Sequence, residues 1–407
     1  MGAGTLWGLI EERVDATPDA LLAVDEEMST ITFAELAIEA ERAAAGLAVY
    51  GVGEHTVVSW QMPTWIESFV LVAALSRLGA TQNPIAPGIR EREVAFITAQ
   101  AGSELIVVPS RWYGFDFERM ATDVARSNGG CGVLVADRAL PQGDPTTLGP
   151  PPSVGDVDQD PVRWLFYTSG RTGAPKGARH TDSAIASAAR GLVQRIEVND
   201  RDRVAFVLPF SHIDGITWLF AALQTGCSLI LTESFDAADT PDVLSRENVT
   251  LAGSGMASHA AYLAAQRSSL VPIFPDVRAF PGGGSPKPPG FADEVRSVFD
   301  APILSGYSLT EAPLLTMAAT TDSDEELAGS EGKPMPGVDI RLVRPDGSSA
   351  AEGEEGEIRA RAPQMMKGYV DDSLDPAAYD EDGFFRTGDI GRFDTKGNLV
   401  VTGRLDT

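Results

Sequence analysis

Over most of its length the chain alternates two kinds of apolar pattern. Residues 33–48 carry apolar side chains at helical spacing behind Thr32-Phe33-Ala34-Glu35, a capping-box pattern, and Gly51 and Gly53 end the run. Residues 56–60 then read as a strand, 65–78 as a helix closed by Gly79, 91–100 as a helix and 105–108 as a strand. This alternation predicts an α/β unit with a largely parallel sheet. Residues 142–161 are rich in Pro, Gly and Asp and read as an exposed connector. Beyond them, Trp164-Leu165-Phe166-Tyr167 is a short apolar, aromatic run expected to be a buried strand. A helix over 181–193, a strand over 204–208, a helix over 216–223, a strand over 228–231 and a short helix over 241–246 make a second alternating unit. After about residue 330 the pattern changes to short strands, at 339–343 and 356–360, separated by turns such as Pro345-Asp346-Gly347. Frequent turns with few helical stretches predict a small β-rich unit or barrel.

Composition narrows the function classes. A chain of 407 residues is too long for one core and implies two or three subdomains. With 32 Lys and Arg against 58 Asp and Glu, the net charge of −26 argues against nucleic acid or an anionic membrane as the main partner. The two cysteines, Cys131 and Cys227, suggest neither a disulfide framework nor a metal cluster and fit a reducing cytosol. The N-terminal residues lack a basic segment and a long apolar core, and the apolar run at 69–75 stops at Arg77, too short to span a bilayer. A cytoplasmic protein with no integral membrane segment is expected.

The acid excess directs attention to a loop that carries cations. The strand at 164–167 runs into Thr168, Ser169, Gly170, Arg171, Thr172 and Gly173, followed by Lys176. Glycines let a backbone approach an anion closely, hydroxyls add donors, and Arg171 and Lys176 supply positive charge. The loop reads either as a phosphate cradle or as a solvated turn. It is not a Walker A loop, because Pro175 precedes Lys176 and Gly177 follows it.

Residues 167–177, YTSGRTGAPKG, resemble the signature of the adenylate-forming superfamily, which includes acyl-CoA synthetases, luciferases and peptide-synthetase adenylation domains. Arg171 departs from the usual Thr, and Asp182 stands where relatives often carry His. Further matches follow in the family's order: GYSLTE at 306–311, GEIRARAPQMMKGY at 356–369, RTGDIG at 386–391 and GRLD at 403–406.

The resemblance implies two doubly wound α/β subdomains, at 1–160 and 161–330, a β-barrel subdomain at 331–402, and a hinge at 403–407. It also implies a small mobile C-terminal domain beyond these residues, whose lysine serves adenylation, so that slow turnover is expected here.

It further implies site roles. Thr168, Ser169, Gly170, Arg171, Thr172, Gly173 and Lys176 would cradle phosphates, and Gly282, Gly283 and Gly284 would leave room for adenine and the acyl group. Gly306, Tyr307, Ser308 and Thr310 would meet adenine and phosphate, Glu311 would bind Mg2+, and Asp389 and Arg404 would hold the ribose. Thr168, Lys176, His212 and Glu311 are the catalytic candidates, with His212 near the carboxylate and the thioester channel. Residues 253–257 are expected beside the acyl pocket, and Asp214 is expected to point away from it, which disfavours an α-amino acid.

The activity so implied is ATP- and Mg2+-dependent conversion of an apolar small-molecule carboxylic acid to acyl-AMP, then thioester formation with coenzyme A. Loading of a carrier protein, a luciferase-like oxygenase, and a nucleotide- or acyl-binding module without turnover are the alternatives.

Overall fold

The computed structural model describes residues 4–152, 160–168, 174–283 and 287–405. The predicted α/β alternation is present. A six-stranded sheet runs in the order Lys176–Thr181, Val162–Thr168, Thr81–Pro84, Val57–Trp60, Leu105–Val108, Gly132–Val135. Its strands pair in parallel except for the first two, which form an antiparallel hairpin.

A second sheet pairs Arg203–Phe206, Ser228–Leu231 and Leu21–Val24 in parallel and adds Thr30–Thr32 antiparallel. Single bridges Val204–Leu251, Leu251–Ala279 and Ser254–Gly282 carry that surface on to the parallel pair Phe280–Gly283 and Ile303–Tyr307. Strand pairing therefore crosses residue 160 in both directions: Leu21–Thr32 joins the later sheet, and the hairpin 162–181 joins the earlier one.

One apolar core joins the two sheets. The helix Ile66–Leu78 is buried on nearly every face, as its sequence, apolar all round, requires. Its Phe69 stacks on Phe210 at 3.9 Å between centroids and meets Phe206 edge-on at 5.6 Å. The apolar run at 69–75 is thus a core helix, and no helix among the described residues is long and apolar enough to cross a membrane.

Asp182 opens the helix Asp182–Ile196 behind the cap Thr181. It is buried and accepts from the Leu6 N–H at 2.8 Å and from Trp164 Nε1 at 2.7 Å. It therefore ties the N-terminal helix Leu6–Ala16 to the hairpin.

The β-rich unit is an open antiparallel meander rather than a barrel. Asp339–Val343, Gly356–Arg361, Phe385–Phe393 and Leu399–Arg404 pair in sequence order, and no pairing among the described residues joins the first to the last. Residues before its third strand also cover the free edge of the hairpin. Lys367 N–H donates to the Arg179 carbonyl at 2.7 Å, Arg179 N–H to that of Gly368 at 3.0 Å, and Val370 N–H to that of Gly177 at 2.7 Å.

Candidate functional site

Residues 306–311 span the end of the strand Ile303–Tyr307 and the four residues after it. Three groups of residues gather around them.

The first surrounds a cavity of about 310 Å3. Six of the expected site residues line it: His212, Gly282, Gly283, Gly306, Ser308 and Thr310. Gly253 and Ser254 line it too, and Leu192, Leu208, Trp218, Leu314 and Met317 make the apolar wall. The glycines are needed because adjacent strands leave no room for side chains. A Cβ on Gly282 would lie 2.7 Å from the Ser254 carbonyl oxygen, and one on Gly283 would meet the Gly306 carbonyl oxygen.

His212 caps the helix Ile213–Thr225, and its Nδ1 accepts from the Asp214 N–H at 3.2 Å. An N–H does not donate to another N–H, so Nδ1 carries no proton and Nε2 does. His212 therefore offers the cavity a donor.

The second group lies at the mouth of the hairpin. Thr168 and Lys176 are cross-strand partners, and Thr168 Oγ1 donates to the Lys176 carbonyl at 3.5 Å. Lys176 Nζ lies 5.7 Å from the centroid of the Tyr369 ring. The Tyr369 hydroxyl donates to Glu311 Oε1 at 2.8 Å. Burial, then the Glu311 charge, raises the Tyr369 pKa, so the phenol keeps its proton.

The third group is Tyr307, Asp389 and Arg404. Tyr307 is buried and donates to Asp389 Oδ2 at 2.6 Å, while Arg404 Nη1 lies 3.1 Å from Oδ1. Ser169, Gly170, Arg171, Thr172, Gly173 and Gly284 lie outside the described residues.

A family model described as "AMP-binding enzyme" matches residues 10–370. The chain belongs to the AMP-binding enzyme family. It is 28% identical to the long-chain-fatty-acid–CoA ligase FadD13 of Mycobacterium tuberculosis over 98% of this chain and 78% of that one. Among solved structures it is similar to the inhibitor-bound N-terminal domain of FACL13 from M. tuberculosis, with TM-score 0.86, 26% identity and coverage of 98% of this chain and 100% of that one. It is also similar to the O-succinylbenzoate coenzyme A synthetase MenE of Bacillus subtilis in complex with ATP and magnesium ion, with TM-score 0.82, 25% identity and coverage of 97% and 79%.

Two features of this AMP-binding enzyme were not legible beforehand. Asp214 does not point away: its carboxylate lines the cavity, where Oδ1 accepts from Ser308 Oγ at 3.3 Å. The expectation fails because Asp214 lies in the first turn of a helix, where a step of one residue swings a side chain by roughly 100° rather than to the opposite face. The second feature is His180, fully buried, whose Nε2 donates to the Thr310 carbonyl at 2.8 Å. Burial lowers its pKa to about 4, so it stays neutral and holds the backbone of the GYSLTE turn. The sequence signals neither role: His180 is a lone histidine in a strand, and its partner is 130 residues away.

Proposed function

We propose that the chain activates a carboxylic acid with an apolar body as its acyl-adenylate, using ATP and Mg2+, and passes the acyl group to the thiol of coenzyme A. One observation carries this reading. The single segment 306–311 serves all three groups, with Gly306, Ser308 and Thr310 at the cavity, Tyr307 on Asp389, and Glu311 on Tyr369. A nucleotide and an acid would thus meet along one short stretch of backbone.

In the first step a carboxylate oxygen attacks the α-phosphorus, and the bond to pyrophosphate breaks. In the second the coenzyme sulfur attacks the acyl carbon, and AMP leaves. The protein's contribution is positioning and charge compensation. Thr168 and Lys176 would face the phosphates, and His212 Nε2–H would serve the acid's carboxylate. The Tyr307 face suits a purine. Asp389 keeps acceptor capacity for the ribose hydroxyls, since a carboxylate has about four lone-pair sites and two are used.

Glu311 fits Mg2+. Its Oε1 accepts a hydrogen bond from the Tyr369 hydroxyl, leaving Oε2 as a hard oxygen ligand, and one or two carboxylates plus substrate phosphates are the usual protein-side set. Bound there, the ion would offset phosphate charge. Two unpaired thiols, Cys227 buried and Cys131 partly so, accord with a cytoplasmic location.

The test is a panel of carboxylic acids with ATP and Mg2+, read by pyrophosphate release and acyl-AMP mass, followed by thioester detection on adding coenzyme A. Acyl-AMP is expected with at least one acid. None from any acid would sink the reading.

A further inference from the structure

We propose that Asp214 selects acids whose apolar body carries one hydrogen-bond donor, a hydroxyl or an ammonium group. This deepens the activation reading above and rests on it.

The cavity wall is mostly hydrocarbon, yet Asp214 puts a carboxylate into it. Among the described residues lining the cavity there is no Lys or Arg, so this carboxylate has no cation in the wall to pair with. Its two oxygens are not equally served. Oδ1 accepts from Ser308 Oγ at 3.3 Å, and Ser308 Oγ in turn accepts from the Leu314 N–H at 3.0 Å. Oδ2 faces His212 Nδ1 at 3.5 Å, but that nitrogen accepts the backbone N–H of Asp214 and brings no proton. Among the described residues no donor serves Oδ2, and the side chain is 43% exposed.

An acid that fills the cavity excludes water from it. A pure hydrocarbon body would leave the carboxylate stripped and unpaired, which is costly. The acid's own carboxylate would add like-charge repulsion. A hydroxyl or ammonium on the acyl body returns the missing hydrogen, and an ammonium also balances the charge. Asp214 also suits the first turn of a helix, where negative charge is favoured, but that role alone would not discriminate among acids.

The test uses 3-phenylpropanoate and its hydroxyl, methoxy and ammonium derivatives, substituted at the α-carbon and around the ring. Pyrophosphate release gives kcat/KM for each with the parent, Asp214→Asn and Asp214→Leu. In the parent, the best hydroxyl or ammonium member should exceed the unsubstituted acid by roughly tenfold or more, and the methoxy series should gain nothing. Ammonium ahead of hydroxyl identifies charge pairing; hydroxyl ahead of ammonium identifies a plain hydrogen bond. Asp214→Leu should invert the order in favour of the unsubstituted acid. Asp214→Asn, nearly isosteric, should lose any ammonium preference, and it serves if the leucine variant does not fold. The same ranking in the parent and a folded Asp214 variant overturns the proposal. Absence of pyrophosphate from every acid, parent included, instead overturns the activation reading and this proposal with it.

Discussion

The Tyr307 hydroxyl donates a 2.6 Å hydrogen bond to Asp389 across 82 residues of sequence. The pair joins the GYSLTE turn to the third strand of the C-terminal meander, and burial raises the tyrosine pKa so that the donor keeps its proton. The two residues bear differently on a nucleotide. Asp389 would accept the ribose hydroxyls, whereas Tyr307 would contribute a ring face and steadies the carboxylate.

Asp389→Ala is therefore expected to weaken AMP and ATP by roughly 1.5–3 kcal/mol, the range for hydrogen bonds to a charged group. Tyr307→Phe keeps the ring and should cost well under half of that. Titration calorimetry with AMP on both variants decides the matter. Equal losses would mean that the hydroxyl, not the carboxylate, is the nucleotide's partner.

Tyr369 is expected to govern the Mg2+ requirement through Glu311. Its hydroxyl fixes one carboxylate oxygen at 2.8 Å, and the residue is itself buried. Losing a hydrogen-bonded partner of a metal ligand commonly lowers metal affinity by roughly tenfold or more. Tyr369→Phe should raise the Mg2+ concentration for half-maximal pyrophosphate release by about that factor. AMP binding without metal should stay unchanged. An unaltered Mg2+ curve would remove Tyr369 from this role.

Acid should destabilise the fold in a defined window. Burial lowers both His180 and His259 from the ordinary 6.5 to about 4. Each is neutral when folded, whereas the unfolded chain binds a proton below about 6.5, so stability is full above that pH and falls as pH drops through about 4. The loss is on the order of 3 kcal/mol per histidine. Among the described residues neither ring nitrogen of His259 has a hydrogen-bond partner, so His259→Leu removes a titrating group without orphaning another of them. Melting temperatures from pH 7 to 4.5 should decline less steeply in this variant than in the parent. Parallel curves would contradict the assignment.

The parts of the molecule that could be read from the chain are those with local signatures. The capping box at Thr32 and Glu35 forms as expected, with both reciprocal hydrogen bonds, and opens the helix Phe33–Val49. The alternation of strand and helix is likewise local, because period and punctuation are printed in neighbouring residues. Sheet membership is not. Nothing in Leu21–Val24 says that its partner is Ser228–Leu231, two hundred residues away, because a parallel pairing has no connecting turn to announce it. Lys176–Thr181 escaped for another reason. Lys176-Gly177-Ala178-Arg179 lacks the β-branched run of a strand and is held as one by Val162–Thr168 on one side and residues 367–370 on the other. At the site, motif residues could be named in advance, but their partners Tyr369 and His180, and the direction of Asp214, depend on tertiary placement.

The cover laid along Lys176–Thr181 by residues 367–370 bears on the solubility of this protein. That strand ends the six-stranded sheet, and a bare terminal strand offers unpaired N–H and C=O groups to any other chain in extended form. Here those groups are spent on Lys367, Gly368 and Val370, so the sheet cannot grow outward. The cover turns on Gly368 at φ 102°, a backbone angle that L side chains rarely adopt, with Asp375 packed where a Cβ would go. A bulkier residue at 368 would lift the cover and expose the backbone groups of Gly177 and Arg179. The first consequence would then be self-association through the bared strand, ahead of any change in catalysis.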